Sequence, residues 1–162
     1  MNKKNLIKKI KQKKATVGVV GLGYVGLPLA LEFCKKGFKT IGLDIDKQKI
    51  EKINLGISYI KQIKSINLPK KKLCATDDFS TIKSCDVMVL CVPTPLSKNL
   101  KPDLSYLQKT IKSISPFVNS NQLISLESTS YPGTTVDEVV NKFKLKFNIG
   151  KNLFICYSPE RE

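Results

Sequence analysis

From Ala15 onward, short runs of apolar residues alternate along the chain with segments in which apolar residues recur at helical spacing. The apolar runs predict six strands, at residues 16–20, 39–44, 73–76, 86–91, 122–126 and 152–156. The helical segments predict helices at 25–36, 104–113 and 134–147, one that Asp46 caps and that ends near Asn54, and a helical turn at 79–84. Strands that alternate with helices form parallel sheets, because each helix is a right-handed crossover.

The sequence therefore predicts an α/β fold, a doubly wound parallel sheet of the Rossmann type with about six strands in the order 3-2-1-4-5-6. Residues 57–72 have no clear pattern, and a turn followed by a short Lys-rich helix would fit them. We take residues 15–162 as one domain, preceded by a basic segment at residues 1–14 that we expect to form a short, solvated helix.

Composition is that of a globular protein, with 41% hydrophobic and 25% charged residues among 162. The chain contains no His, which excludes a His base and His metal ligands within this sequence. Its five cysteines are odd in number and never spaced as Cys-x-x-Cys, so we expect neither a zinc site nor a disulfide scaffold. This pattern indicates a reducing, cytoplasmic setting and no metal.

The net charge of +15 is concentrated at the start, where residues 1–14 hold seven Lys and no acid. Such a tail could bind nucleic acid or an anionic membrane. Arg161 is the only Arg, however, and Arg is the usual reader of base edges, so we do not expect a nucleic-acid partner. Residues 17–31 are apolar but are interrupted by glycines and Pro28, so we predict no membrane insertion.

The residues Gly21-Leu-Gly23-Tyr-Val-Gly26 match the G-x-G-x-x-G pattern, and they lie between a predicted strand and a predicted helix. In dinucleotide-binding folds the first glycine permits the tight turn and the second lets the backbone approach the pyrophosphate. The third glycine lets helix and strand pack closely, and the free N–H groups of the helix face the phosphates. We therefore predict a dinucleotide site that includes Tyr24 and Val25 between these glycines.

The second predicted strand ends at Asp44, 18 residues after Gly26. A carboxylate there accepts hydrogen bonds from the adenosine ribose and repels a 2′-phosphate, which favours NAD over NADP. Lys47 and Lys49 lie nearby and oppose that preference. The alternative is a Gly-rich turn with an ordinary helix-capping Asp.

Four segments together resemble the UDP-glucose/GDP-mannose dehydrogenase family of nucleotide-sugar 6-dehydrogenases. They are residues 19–30 (VVGLGYVGLPLA), 91–96 (CVPTPL) with 102–105 (PDLS), 126–135 (LESTSYPGTT) and 157–162 (YSPERE). The sequences PTPL, LEST and SPERE within the last three segments look most like the UDP-N-acetylglucosamine 6-dehydrogenase branch. The resemblance implies that residues 15–162 form an NAD-binding domain, and that Lys49 stands where the family has a basic residue near the adenosine ribose.

The resemblance also implies roles for two loops. Val92, Pro93 and Thr94 follow the fourth strand and would lie along the cofactor, although a Pro-stiffened surface loop is the alternative. Ser128 and Thr129 match the Ser-Thr pair beside the nicotinamide, where the Thr hydroxyl helps to position water; an isolated pair would more often cap a helix.

Glu160 matches the Glu of the family's Pro-Glu motif, which assists proton transfer during thioester hydrolysis. The resemblance implies oxidation of the C6 alcohol of a UDP-sugar, with UDP-N-acetylglucosamine favoured, to the uronic acid with two NAD, for polysaccharide biosynthesis. It proceeds through a thiohemiacetal and a thioester on a Cys from a later motif. We therefore expect residues 1–162 to be the N-terminal part of a longer enzyme, a homodimer or larger when complete.

In that longer enzyme the central helix and the sugar-nucleotide domain would follow residue 162. Alone, these residues are expected to bind NAD without turnover.

Two alternatives remain open. One is another NAD-dependent hydroxyacid dehydrogenase. The other is a non-catalytic module that binds NAD, or nucleic acid through its basic tail.

Overall fold

The computed structural model describes residues 3–60, 63, 73–96 and 102–159. The strands are β1 (Thr16–Val20), β2 (Lys39–Leu43), β3 (Leu73–Thr76), β4 (Val87–Leu90), β5 (Leu123–Leu126) and β6 (Phe154–Tyr157). The α-helices are α1 (Lys3–Lys11), α2 (Gly26–Lys35), α3 (Lys47–Leu55), α4 (Ser105–Ile114) and the short α5 (Asn141–Phe143). A 3₁₀-helix (Phe79–Ser84) and a π-helical segment (Thr135–Val140) complete the described elements.

All six strands belong to one parallel sheet in the order β3-β2-β1-β4-β5-β6. The predicted fold class and strand order are both confirmed. The order reverses between β1 and β4, because the chain leaves β1 toward β2 and later returns to β1's other side. At such a switch point the two crossover connections diverge and leave a crevice at the carboxyl ends of the strands.

Apolar side chains form two core clusters, one on each face of the sheet. Successive residues of a strand point to opposite faces, so neighbouring residues belong to different clusters. Val17 and Val19 pack on the face covered by α2 and α3. Val20, Met88 and Leu90 pack on the opposite face, which α4 and the π-helical segment cover. This two-sided burial explains the nearly continuous apolar runs of the central strands.

The N-terminal helix α1 is docked on the domain, whereas we expected it to be solvated. Its Leu6 is buried, and Ile10 packs against the core on the α2 face. Lys9 Nζ lies 2.7 Å from Asp86 Oδ1, and Asp86 Oδ2 accepts a hydrogen bond from the Thr16 amide at 3.0 Å. In the described part of the chain, no helix is long and apolar enough to cross a membrane.

The helix predicted at 134–147 is shorter and partly irregular. It is π-helical over Thr135–Val140 and ends with α5 at Phe143. Val139 and Phe143 are the apolar residues of this stretch that are buried in the core. A spacing of four residues puts two side chains on nearly the same face of an α-helix and of the wider π-helix. The apolar pattern therefore did not distinguish the two helix types. The expectation for residues 57–72 falls largely outside the described residues.

Asn54, in the last turn of α3, fastens this helix to the edge strand β3. Its Nδ2 donates to the Ala75 carbonyl oxygen and its Oδ1 accepts from the Ala75 amide, each at 2.9 Å. The side chain thus pairs with both backbone groups that an edge strand otherwise leaves exposed.

We predict that Asn54→Ala lowers the free energy of unfolding by about 1–3 kcal/mol, because two hydrogen bonds to half-buried backbone groups are lost. The measurement is urea denaturation followed by circular dichroism. The matched control is Asn141→Ala, which gains the same helix propensity at an exposed position. Equal effects of the two substitutions would contradict the role of Asn54.

Candidate cofactor site

A cavity of about 720 Å³ opens at the carboxyl ends of β1, β2, β4 and β5. This is the crevice expected at the switch point of the sheet, and its volume lies in the range of ligand pockets. Eleven of the predicted site residues line it: Gly21, Gly23, Tyr24, Val25, Asp44, Lys49, Val92, Pro93, Thr94, Ser128 and Thr129. Gly26 is buried and is not among the lining residues, and Glu160 lies outside the described residues.

The three glycines of the turn have different surroundings. Gly21 adopts a left-handed conformation (φ 89°), and a Cβ there would lie 2.6 Å from the Cys91 carbonyl oxygen. A Cβ on Gly26 would lie 1.8 Å from the Gly21 carbonyl oxygen. A Cβ on Gly23 would meet no atom within 4 Å, although Gly23 lines the cavity. Gly21 and Gly26 are therefore required by the fold, whereas Gly23 leaves space for a ligand.

Asp44 follows β2 and is held by two backbone amides. Its Oδ2 accepts from the Leu22 amide at 2.8 Å, within the Gly-rich turn, and its Oδ1 accepts from the Asp46 amide at 2.9 Å. The residue is only 8% exposed. Each carboxylate oxygen can accept a further hydrogen bond, so the buried group remains able to bind ribose hydroxyls from the cavity side.

Lys49, in the first turns of α3, brings a positive charge to the same region. Its Nζ lies 3.8 Å from Asp44 Oδ2 and 4.0 Å from Asp46 Oδ2. Asp46 caps α3, as predicted, and accepts from the amides of Gln48 and Lys49. The ion pairs are long and partly exposed, so they contribute little to stability but place a cation beside the Asp44 carboxylate.

The opposite end of the cavity is built from the loops after β4 and β5. Ser128 is buried, and its Oγ donates to the Val92 carbonyl oxygen at 2.6 Å. Thr94 Oγ1 donates to the Thr129 carbonyl oxygen at 2.5 Å. These two hydrogen bonds join the CVPTPL and LEST segments, which are far apart in the sequence. Ser128 therefore positions the loop as well as lining the cavity.

Several residues of the cavity wall were not predicted from the sequence. Four of them lie on one face of α4, at positions i, i+3, i+4 and i+7: Tyr106, Lys109, Thr110 and Ser113. Glu127 also lines the cavity, and its Oε1 accepts from Ser125 Oγ at 2.5 Å. Their helical spacing could have predicted that they share one face of α4. The prediction of buried faces used apolar residues, however, and these side chains are mostly polar.

The cysteines show no sign of redox pairing or metal binding in the described structure. All five are thiols without a disulfide, and the described residues contain no group of three or more side chains suited to a metal ion. Burial raises the pKa of the Cys85 thiol to about 12, with a smaller contribution from the neighbouring Asp86. Cys85 therefore stays protonated at neutral pH and acts as a small core residue.

The residues present fit a dinucleotide. The cavity is large enough, Gly23 leaves room for a pyrophosphate at the start of α2, and the Asp44 carboxylate can accept from ribose hydroxyls. When bound there, NAD supplies a hydride acceptor.

We predict that Gly23→Ala and Gly26→Ala fail in different ways. Gly23→Ala retains the melting temperature, because its Cβ meets no protein atom, but weakens NAD binding at least about tenfold. Gly26→Ala instead lowers the melting temperature, because its Cβ overlaps a carbonyl oxygen of the turn. Calorimetry of binding and thermal unfolding of both variants is the test. A Gly23→Ala protein that binds NAD normally would contradict the assigned pyrophosphate site.

The sequence is similar to one protein family along nearly its whole length. The profile of the UDP-glucose/GDP-mannose dehydrogenase family, NAD binding domain, matches residues 15–162. UDP-N-acetyl-D-glucosamine 6-dehydrogenase of Pseudomonas aeruginosa is 38% identical over 154 residues, which are 92% of this chain and 36% of that protein. UDP-N-acetyl-D-mannosamine dehydrogenase of Pyrococcus horikoshii is 35% identical over 153 residues, 90% of this chain and 36% of that protein.

Structure comparison agrees. The solved UDP-D-ManNAc dehydrogenase of Pyrococcus horikoshii superposes with a TM-score of 0.84 at 35% identity, covering 91% of this chain and 36% of that one. The native UDP-N-acetyl-mannosamine dehydrogenase Cap5O of Staphylococcus aureus gives a TM-score of 0.79 at 32% identity, covering 91% and 37%. The chain thus spans about a third of the length of these relatives. It belongs to the UDP-glucose/GDP-mannose dehydrogenase family, as the NAD-binding domain of such nucleotide-sugar dehydrogenases.

Proposed function

We propose that this domain holds NAD for a cytoplasmic nucleotide-sugar 6-dehydrogenase that oxidises the C6 alcohol of UDP-N-acetylglucosamine, or of a closely related UDP-N-acetylhexosamine, to the uronic acid. The observation that carries the proposal is the switch-point cavity, with Gly23 open at one wall and Asp44 at the end of β2. The names of the P. aeruginosa and P. horikoshii relatives support a UDP-N-acetylhexosamine as substrate.

In this proposal the adenosine half lies at the β2 side of the cavity. Asp44 accepts from the ribose hydroxyls, and Lys49 lies beside them. The pyrophosphate lies over Gly23 at the start of α2, where backbone N–H groups face it. Val92, Pro93 and Thr94 lie along the cofactor.

The nicotinamide end lies near Ser128 and Thr129. Thr129 positions water for the hydrolytic half of the reaction, and Glu160 assists the accompanying proton transfer, as the family resemblance implies. Oxidation of a primary alcohol to a carboxylate removes four electrons, so two NAD are reduced and one water is consumed. The nucleophilic Cys belongs to a family motif that these 162 residues do not contain, so the domain alone binds NAD without turnover.

The test compares residues 1–162 with a protein in which the same residues are followed by a further segment, so that its total length equals that of the relatives. The domain alone is expected to bind NAD and to produce no NADH with any UDP-sugar. The longer chain, which we expect to be a homodimer or larger, should produce two NADH for each UDP-N-acetylglucosamine consumed. UDP-N-acetylmannosamine and UDP-glucose are the comparison substrates. One NADH per sugar, or NADH from a free hydroxyacid instead, would refute the proposal.

We predict that Asp44→Asn narrows the preference for NAD over NADP by about tenfold or more, because it removes the charge that repels a 2′-phosphate. The single side-chain oxygen of Asn can still accept from the Leu22 amide, but the Asp46 amide loses its acceptor, so thermal unfolding of the variant is measured alongside binding. The matched control is Asp77→Asn, which removes one charge near the end of β3 outside the cavity wall. Fluorescence titration with NADH and NADPH measures both affinities, and an unchanged ratio would refute the ribose contact.

A further inference from the structure

Tyr59 does not line the cavity, yet its hydroxyl donates a hydrogen bond to the Leu22 carbonyl oxygen inside the Gly-rich turn. We propose that Tyr59 is a positioning residue for the cofactor pyrophosphate: by holding the Leu22 carbonyl, it aims the Gly23 amide N–H into the cavity. This inference rests on the proposed function only in taking the ligand of the cavity to be a dinucleotide.

The geometry of the peptide group links the two residues. Leu22 C=O and Gly23 N–H belong to one peptide plane, and in a trans peptide these two groups point in opposite directions. No cis peptide bond occurs among the described residues. When Tyr59 holds the oxygen on its own side of the turn, the Gly23 N–H is therefore directed away from Tyr59. Gly23 lines the cavity and has open space around its Cα, so the N–H has room to meet a phosphate oxygen.

Asp44 fixes the preceding peptide of the same turn. The Leu22 amide donates to Asp44 Oδ2 at 2.8 Å, so Leu22 is held at its N–H by Asp44 and at its C=O by Tyr59. Both contacts come from outside β1 and α2, the two elements that the turn connects: Asp44 follows β2, and Tyr59 follows α3. Two consecutive peptide planes are thereby oriented before any ligand binds, which lowers the ordering cost of binding.

The backbone on both sides of Tyr59 is anchored, so the side chain is presented in a defined position. Gly56 ends α3 in a left-handed conformation (φ 80°), with its amide donating to the Ile53 carbonyl oxygen at 2.9 Å. Ser58 Oγ accepts from the Ile60 amide at 3.1 Å. Ile60 is buried in the core on the α2 face. The chain between these anchors returns Tyr59 to the turn.

The Tyr59 hydroxyl remains a donor throughout the physiological pH range. Its burial, and then the negative charges of Asp44 and Asp46, raise the pKa of Tyr59 well above the ordinary value for tyrosine. A deprotonated phenolate could not donate to a carbonyl oxygen, and the raised pKa widens the margin that an ordinary tyrosine already has at neutral pH.

The test is Tyr59→Phe, which keeps the ring and removes the donor. The matched control is Tyr157→Phe, on the edge strand β6 and outside the cavity wall. The first readout needs no ligand: the ¹⁵N order parameter of the Gly23 amide should fall from about 0.85 to below about 0.6 in Tyr59→Phe and stay unchanged in Tyr157→Phe. Thermal unfolding of each variant shows whether the fold is retained.

The second readout separates the phosphate role from general support. ADP-ribose contains the pyrophosphate and adenosine does not, so Tyr59→Phe should raise the Kd for ADP-ribose about five- to tenfold and leave that for adenosine nearly unchanged. Replacing Tyr59 by 4-aminophenylalanine, which restores an N–H donor, should recover the affinity. This variant also keeps the test decisive if Tyr59→Phe fails to fold.

An equal loss for both ligands, or an unchanged Gly23 order parameter, would overturn the inference. A wild-type protein that binds neither NAD nor ADP-ribose would refute the proposed function and the phosphate role together. In that case the Gly23 order parameter would still show whether Tyr59 orders the turn, so the two failures can be told apart.

Discussion

The structure depends on a contact that leaves no room for a side chain, where the end of β1, the start of α2 and the end of β4 meet. A Cβ on Gly26 would overlap the Gly21 carbonyl oxygen, and a Cβ on Gly21 would overlap the Cys91 carbonyl oxygen. These approaches allow α2 to begin directly above the sheet, beside the parallel pair of β1 and β4. The switch-point cavity follows from that placement.

Around this contact, side chains satisfy backbone groups where the sheet hydrogen bonds stop. Asp44 and Tyr59 pair with the two ends of Leu22, and Ser128 pairs with the Val92 carbonyl oxygen. Asp44 and Tyr59 belong to the connection between β2 and β3, and Ser128 belongs to the connection between β5 and β6, so the cavity wall joins segments that are distant in sequence. Buried backbone groups need partners, and here the partners also set the shape of the site.

The sequence predicted those features that local pattern determines. The strand order, the glycines of the turn, Asp44 at the end of β2 and Asp46 as a helix cap all follow from periodicity and spacing, and the structure contains each of them. The docking of α1 was not predicted, because its ion pair joins Lys9 to a residue 77 positions away. The contact between Tyr59 and the turn was missed for the same reason. The role of Glu160 stays a prediction.

The charge of the whole chain and the charges at the site act over different distances. A net charge of +15 produces a long-range field that attracts any anionic dinucleotide, NAD and NADP alike, and salt screens it within about 10 Å. In the proposed binding mode the Asp44 carboxylate acts at contact distance, where a ribose hydroxyl and a 2′-phosphate differ most. In that binding mode a strongly basic protein still discriminates against the more anionic cofactor, because attraction governs the encounter and the Asp44 carboxylate governs the choice.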